Sequence, residues 1–573
     1  SGYGSEQSVF LLDLLDANQL FQGKVTEARQ RQINIVDSIS WVRGTHTLKF
    51  GIDYRRLSPH FNSPPYFQFN ESYGAYAATG ASLAAFVVAN RPSTLFFHNV
   101  GSYVEDTWRT TPRLTLTFGV RWDIDPPPTV GQGLNFLAVT GFGNPATLAL
   151  ASPGTPLWST TYGDFAPRLG FAYQLRQSAT WETVLRGGYG IFYDLADQQV
   201  GDAVNALQYP FSVDNIIPGA QFPLPAVQQL PPAFTQPNPL TNLVAFDPHM
   251  KLPYSHEWNF AVEQSIGQNQ ALTVSDVGQV GRRLLLQEVI LGPTNLIGPF
   301  GQENLVQNAA NSNYNALQIQ FQRRLSRGFQ ALASYTYSHS IDDGSGAAFD
   351  SPNLLAQNIN PESNRGSSDF DIRHSFTSAF TYDIPSPKSA AALKSLFGGW
   401  ALDSAFRARS ASPVTVFYSN LALGPSVLQI RPDVVSGQPL YLMGQQYPGG
   451  RGLNSNAFTL PPIDPMTGIP ARQGDLGRNS LTGFGATQWD VTVHRQFNLG
   501  DRFKLQFRSE FFNIFNHPNF GPPQPDLTKP FFGQATQMLG KSLGQGMAGT
   551  GSFSPLYAIG GPRSIQLALK LSF

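Results

Sequence analysis

The chain has 573 residues, 38 Lys+Arg against 38 Asp+Glu, no cysteine, and 13% charged residues beside 41% hydrophobic and 12% aromatic ones. Low charge with many Phe, Tyr, Gly and Pro excludes a disordered chain, and the balanced charge provides no field that would gather nucleic acid. Without cysteine there is no disulfide scaffold, thiolate zinc site or cysteine nucleophile, and no apolar run reaches the roughly eighteen residues of a spanning helix.

Residues 1–26, through Leu11-Leu12-Asp13-Leu14-Leu15, read as a helical turn or a strand end. From Glu27 the pattern alternates with period two. Ile33, Ile35, Ile39 and Trp41 lie among polar partners, Arg43 to His46 make a tight turn, and Leu48, Phe50, Ile52 and Tyr54 oppose Lys49, Gly51, Asp53 and Arg55, which predicts a hairpin. A loop from Ser58 to Pro92 holds the most apolar short run, Leu83 to Ala89. Thr94 to Arg109 is the next strand, and Arg113 to Asp125 has the cleanest alternation before Pro126 stops it.

The rhythm then repeats. Strands are expected over 164–175, 181–194, 255–266, from 270 to 280 or beyond, and over 314–325, 329–341, 370–382, 400–411, 489–497, 503–511 and 563–573. Short turns such as Gly267-Gln-Asn, Ser326-Arg-Gly and Leu499-Gly-Asp501 alternate with long loops such as 195–251 and 419–483. A soluble sandwich has no reason to put every long loop at one end. Outer-membrane barrels do so, with short periplasmic turns and long external loops. The expected fold is therefore all-β: a transmembrane antiparallel β-barrel of roughly fifteen strands over residues 27–573. An odd count beginning and ending on inward-running strands implies at least one strand upstream.

The last strand places Ile565, Leu567, Leu569, Leu571 and Phe573 on one face and ends on the aromatic residue. This resembles the C-terminal signal that the barrel assembly machinery reads in bacterial outer-membrane proteins. Arg113, Arg121, Lys504, Arg508 and Glu510 fall on polar faces, which suits a hydrated lumen and would be costly in lipid. Trp108, Trp122, Trp258, Trp400 and Trp489 near strand ends suit an interfacial girdle more simply than a ligand-stacking platform.

No catalytic motif, phosphate loop or cofactor signature is found, so an enzyme is not expected, and the nine histidines are scattered rather than clustered for a metal. Asp342, Asp343 and Asp350 in a Gly/Ser loop read as a solvated external loop, with calcium as the sharper alternative.

Ser368-Asp-Phe-Asp-Ile-Arg-His-Ser-Phe376, Tyr103-Val-Glu-Asp-Thr-Trp108 and Phe511-Phe-Asn-Ile-Phe-Asn-His-Pro-Asn-Phe520, with the Pro562 to Leu567 closing strand, carry a family likeness. From about Arg31 to Phe573 the chain resembles the barrel of TonB-dependent outer-membrane receptors, nearest the Oar-like group with a carboxypeptidase-regulatory-like domain. The resemblance implies about 22 strands, an N-terminal plug, and a TonB-binding box, none of which residues 1–26 supply. It marks Asp369, Asp371, Arg373 and His374 as a motif contacting ligand or plug, or else as rim residues anchoring a loop. The expected function is import of a scarce ligand, whether siderophore, oligosaccharide, peptide or vitamin, energised through the TonB complex. The expected surroundings are outer-membrane lipid, with no nucleic-acid partner. A passive porin or surface adhesion barrel is the alternative, and a soluble secreted carbohydrate-binding β protein the next.

Overall fold

The computed structural model describes residues 6–14, 19–24, 26–72, 77–142, 147–195, 200–201, 209–234, 242–290, 302–345, 355–356, 361–386, 397–423, 426–463, 465, 470, 472–499, 503–539 and 560–572. Phe573 of the expected assembly signal, Asp350 of the acidic loop, and Gly500 and Asp501 of the last turn lie outside them.

The principal strands in chain order are β1 (Ser8–Leu14), β2 (Gln19–Gly23), β3 (Glu27–Arg43), β4 (His46–Asn62), β5 (Tyr66–Ser72), β6 (Ala84–Asn90), β7 (Ser93–Thr111), β8 (Leu114–Ile124), β9 (Asp164–Arg176) and β10 (Thr183–Tyr193). They continue as β11 (Ser212–Pro218), β12 (Tyr254–Ile266), β13 (Gln270–Ile290), β14 (Gln302–Ser326), β15 (Phe329–Asp342), β16 (His374–Asp383), β17 (Trp400–Arg409), β18 (Ala486–Leu499), β19 (Phe503–Phe512) and β20 (Ser564–Ser572).

Fifteen of these form one antiparallel wall, each paired with the next in chain order from β3 to β20, with β5, β6 and β11 left out. The count is the one expected from the sequence. Connections at 44–45, 112–113, 177–182, 267–269, 327–328, 384–399 and 500–502 fall at one end of the wall and, apart from 384–399, run to six residues or fewer; those at the other end run from eleven residues at 291–301 to 76 at 410–485. At 327–328 both residues take positive φ, 53° for Arg327 and 74° for Gly328, the twist a two-residue hairpin requires. Among the described residues no register joins β3 to β20. Both run from the long-loop end to the short-turn end, so an antiparallel seam between them takes an odd number of further strands.

Several wall strands outrun their expected lengths. β4 continues past Tyr54 to Asn62, and β14 begins at Gln302 rather than Tyr314. About half of the expected loop 290–312 is thus ladder, with Leu286 opposite Gln307 and Ile290 opposite Glu303. Polar residues such as Asn308 and Asn311 carried no strand signal, yet backbone pairing does not need apolar side chains once the sheet stands clear of lipid. In the opposite sense, β16 starts at His374, and Ser368 to Arg373 form a turned segment in place of the strand start expected at Phe370.

A second sheet, in the order β11-β6-β5-β1-β2, is built from the segment before β3 and from the connections 63–92 and 194–253. Within the first residues, open between helical turn and strand end in the sequence, Ser8–Leu14 and Gln19–Gly23 are strands, and the apolar run at Leu83–Ala89 supplies β6. β1 pairs with β5 in parallel, Ser8 opposite Tyr66 through Leu14 opposite Ser72. The sheet packs one face on its own small core of Tyr66, Ala85, Val87, Ala220 and Leu224.

Candidate functional site

The registers carry one apolar stripe from strand to strand: Ile39 opposite Phe50, Phe50 opposite Val104, Val104 opposite Val120, and at the far edge Val491 opposite Phe511, Phe511 opposite Ile565. Ile565, Leu567, Leu569 and Leu571 are all exposed on this outward face. Three carboxylates interrupt it, one of them the exposed Asp37 between Ile35 and Ile39, opposite Ile52. Asp106 is met by His46 Nδ1 at 2.7 Å, whereas Asp276 stands exposed between Phe260 and Leu317.

The opposite face carries the polar residues. Arg121 Nε donates to Asp123 Oδ1 at 2.7 Å, and its Nη2 reaches Asp53 two strands away at 3.6 Å. It does so across Gly101, where a Cβ would lie 2.0 Å from Arg121 Nη2. Arg508 Nη2 donates to Glu510 Oε1 at 2.7 Å, and Lys504 lies on the same face of β19, four residues before Arg508. Arg113 sits in the turn before β8, exposed, one residue short of the strand face expected for it.

The structure divides the Asp369, Asp371, Arg373 and His374 motif. Asp371 is buried and accepts from Ser340 N at 2.9 Å, from Arg373 Nε at 3.0 Å and pairs with His339 Nδ1 at 3.1 Å, tying the segment to β15. Asp369 turns instead to the longest loop, accepting from Arg478 Nη1 at 3.1 Å and Asn479 Nδ2 at 2.6 Å. His374 points to the outward face, 2.8 Å from the Tyr335 hydroxyl.

Arg478 is the hub of this rim, and no motif in the sequence pointed to it. Its side chain is 1% exposed. It donates to Asn364 O at 2.8 Å, Asp342 O at 2.7 Å, Ser345 Oγ at 3.1 Å, and to both Asp342 and Asp369 carboxylates. Beside it, burial first and the Arg478 charge second pull the buried Arg431 guanidinium down to about 10. Asp342 and Asp343 are accordingly buried rather than solvated, Asp343 being met by Arg365 Nη1 at 3.3 Å. Their oxygens face arginine.

Toward the long-loop end the inward face of β4 and β7 turns apolar. Leu57, Phe61, Leu95 and Phe97 meet Leu157 and Trp158 from connection 125–163, Phe211 and Phe246 from 194–253, and Val306 of β14. The long connections thus fold inward over the mouth of the wall and form a core there. Between this core and the second sheet lies a cavity of about 330 Å³, walled by Val9, Leu11, Phe21, Phe61, Phe67 and Phe211. Sequence reading missed it because β1, β2 and β5 were not expected to share a sheet.

Residues 14–546 match the family described as outer membrane beta barrel domain. No curated protein matches the sequence. The fold is similar to that of the outer membrane transporter YddB from Escherichia coli, with a TM-score of 0.53 at 11% identity, over 99% of this chain and 58% of that one. Weaker likenesses are to the ferric-catecholate import receptor Fiu from Escherichia coli K12, with a TM-score of 0.45 at 10% identity over 97% of this chain and 56% of that one. The FrpB iron transporter from Neisseria meningitidis gives 0.44 at 12% identity over 96% and 55%. The chain spans little more than half the length of these structures.

Proposed function

The chain belongs to the outer membrane beta barrel domain family and is an outer-membrane protein; on that premise we propose that it forms the wall and external mouth of a TonB-dependent active transporter. The observation that carries this reading is the inward-folded mouth. A passive pore keeps its lumen open, but here Leu57, Phe61, Leu95 and Phe97 are roofed by two long connections and by the extended start of β14. An arrangement of that kind captures a ligand and needs energy to release it inward. The transporter YddB, whose fold this chain shares, supports transport over adhesion. The Oar-like affiliation rests on the sequence motifs alone.

The ligand is taken to be a small molecule held by the external loops. Energy would come from the inner membrane through TonB acting on an N-terminal plug. The odd number of further strands that the seam takes agrees with a barrel of about 22 strands.

The test uses the whole gene product. In planar bilayers it is expected to show no steady ion conductance, and uptake of its ligand by cells is expected to stop when a protonophore collapses the proton gradient. Steady conductance with uptake indifferent to the protonophore would instead identify a passive porin.

A further inference from the structure

We infer that the cavity under the second sheet is the ligand-capturing site, and that it takes a one- or two-ring aromatic carboxylate. This deepens the reading of the mouth as a capture device and rests on it. At about 330 Å³ the cavity sits at the lower end of the range of small-molecule sites. It admits a single compact body and is too small for an oligosaccharide or an extended peptide. Phe21, Phe61, Phe67 and Phe211 supply rings from four separate segments, which suits a flat apolar body stacked or edged against them.

Two polar groups orient that body. Ser93 is 1% exposed, lines the cavity, and its Oγ has no hydrogen-bond partner among the described residues. An unpartnered buried hydroxyl is costly, and a ligand oxygen would satisfy it. Two residues away Arg91 stands at the exposed rim, its guanidinium carbon 3.7 Å from the Phe234 ring centroid. That stacking fixes the plane of the fork, and among the described residues its N–H edge meets no carboxylate, so it can receive one. The neighbouring Asn90 and Ser212 do not compete for the ligand. Ser212 Oγ donates to Asn90 Oδ1 at 2.6 Å, and Asn90 Nδ2 donates to Pro64 O at 3.0 Å. The chemistry is therefore apolar walls, one fully buried hydroxyl with those of Thr26 and Ser63 nearer solvent, and one cation at the door.

Saturation-transfer NMR and calorimetry on the full gene product in detergent, with benzoate, 1-naphthoate and indole-3-acetate as probes, test this. At least one carboxylate is expected to bind. Arg91→Gln is expected to weaken it about tenfold while leaving the neutral 1-naphthylmethanol unchanged, and Ser93→Ala to weaken both probes. Arg91 is exposed and Ser93→Ala removes only an unpartnered oxygen, so both variants are expected to fold, which far-ultraviolet circular dichroism checks. No binding by any of the three carboxylates, or equal affinity in Arg91→Gln, overturns the assignment. Those results leave the conductance and protonophore outcomes untouched, so failure of the ligand class and failure of the transporter reading are separable.

Discussion

Tyr335 on β15 and His374 on β16 are hydrogen-bonded through the hydroxyl and Nδ1, 2.8 Å apart, on the outward face of the wall. The same diagonal recurs twice, in Tyr54 with His98 at 2.9 Å and Tyr189 with His256 at 2.7 Å. In each case the histidine lies two residues before the tyrosine's direct cross-strand partner, which is Val100, Trp258 or Phe376. Each pair clamps the two strands that flank a long connection. Amphipathic rings of this kind favour the boundary between hydrocarbon and headgroup. Replacing one tyrosine with phenylalanine should cost about 1 kcal/mol of wall stability. Because the three pairs sit on separate strands, the triple variant should lose roughly the sum. Heat-modifiable gel migration against temperature measures this, and an unshifted triple variant would refute the clamp.

The outward face itself can be tested on β20. Leu569→Arg should impair insertion by about 2–4 kcal/mol if that face meets the middle of the bilayer. Gln566→Arg, opposite Glu510 on the other face, should be tolerated. Asp276 offers the converse test. Exchanging this exposed carboxylate for leucine should stabilise the wall, by about 1 kcal/mol. A Leu569→Arg protein that assembles as well as Gln566→Arg would reverse the assignment of the faces.

Arg478 joins two long loops through Asp342 and Asp369, over 100 residues away in sequence. Arg478→Ala leaves buried carboxylate and carbonyl groups unpaired and should cost the rim about 3–5 kcal/mol. Lysine should not rescue it, since a single ammonium cannot reach that spread of acceptors. Gly366→Ala should do similar harm, because a Cβ there would meet Arg478 O at 2.4 Å. Protease cleavage on intact cells should appear within 343–373 and 410–485 while the wall stays heat-modifiable. Unchanged loops in Arg478→Ala would remove the hub from the account.

The second sheet should respond to pH through Glu71. Burial first and Asp13 second raise its carboxyl above the ordinary value of 4.5. A carboxyl raised in the folded state adds stability below its unfolded value, and that contribution is lost as pH rises through the folded value. Hydrogen exchange in 66–72 and 84–90 should therefore speed up from pH about 5 to about 8 beyond the intrinsic rate. Glu71→Gln should flatten that dependence and protect the sheet at neutral pH. Equal pH dependence in both proteins would exclude Glu71 as its source.

The wall was legible in the sequence because lipid on one side and water on the other force a period of two, as at Leu114 to Ile124. What went unread had no such constraint. In β5 the buried residues are Tyr66, Gln68, Asn70 and Ser72, a polar row whose alternation points away from a core by composition. The parallel pairing of β1 with β5 depends on segments separated by the first wall hairpin. Arg478 is one arginine among Gly, Asp and Asn, and its importance comes from what surrounds it in space. The four-residue motif was found, yet its split between Arg478, His339 and Tyr335 follows from loop paths that local pattern does not encode.

The roof over the mouth also has a consequence for timing. Its core draws on residues from Leu57 to Val306, so it is complete only once the wall has been laid down from β4 and β7 round to β14. Contacts that close such long stretches form slowly. The roof is therefore a late event in biogenesis, and a misregistered wall would be betrayed first by a mouth that never shuts.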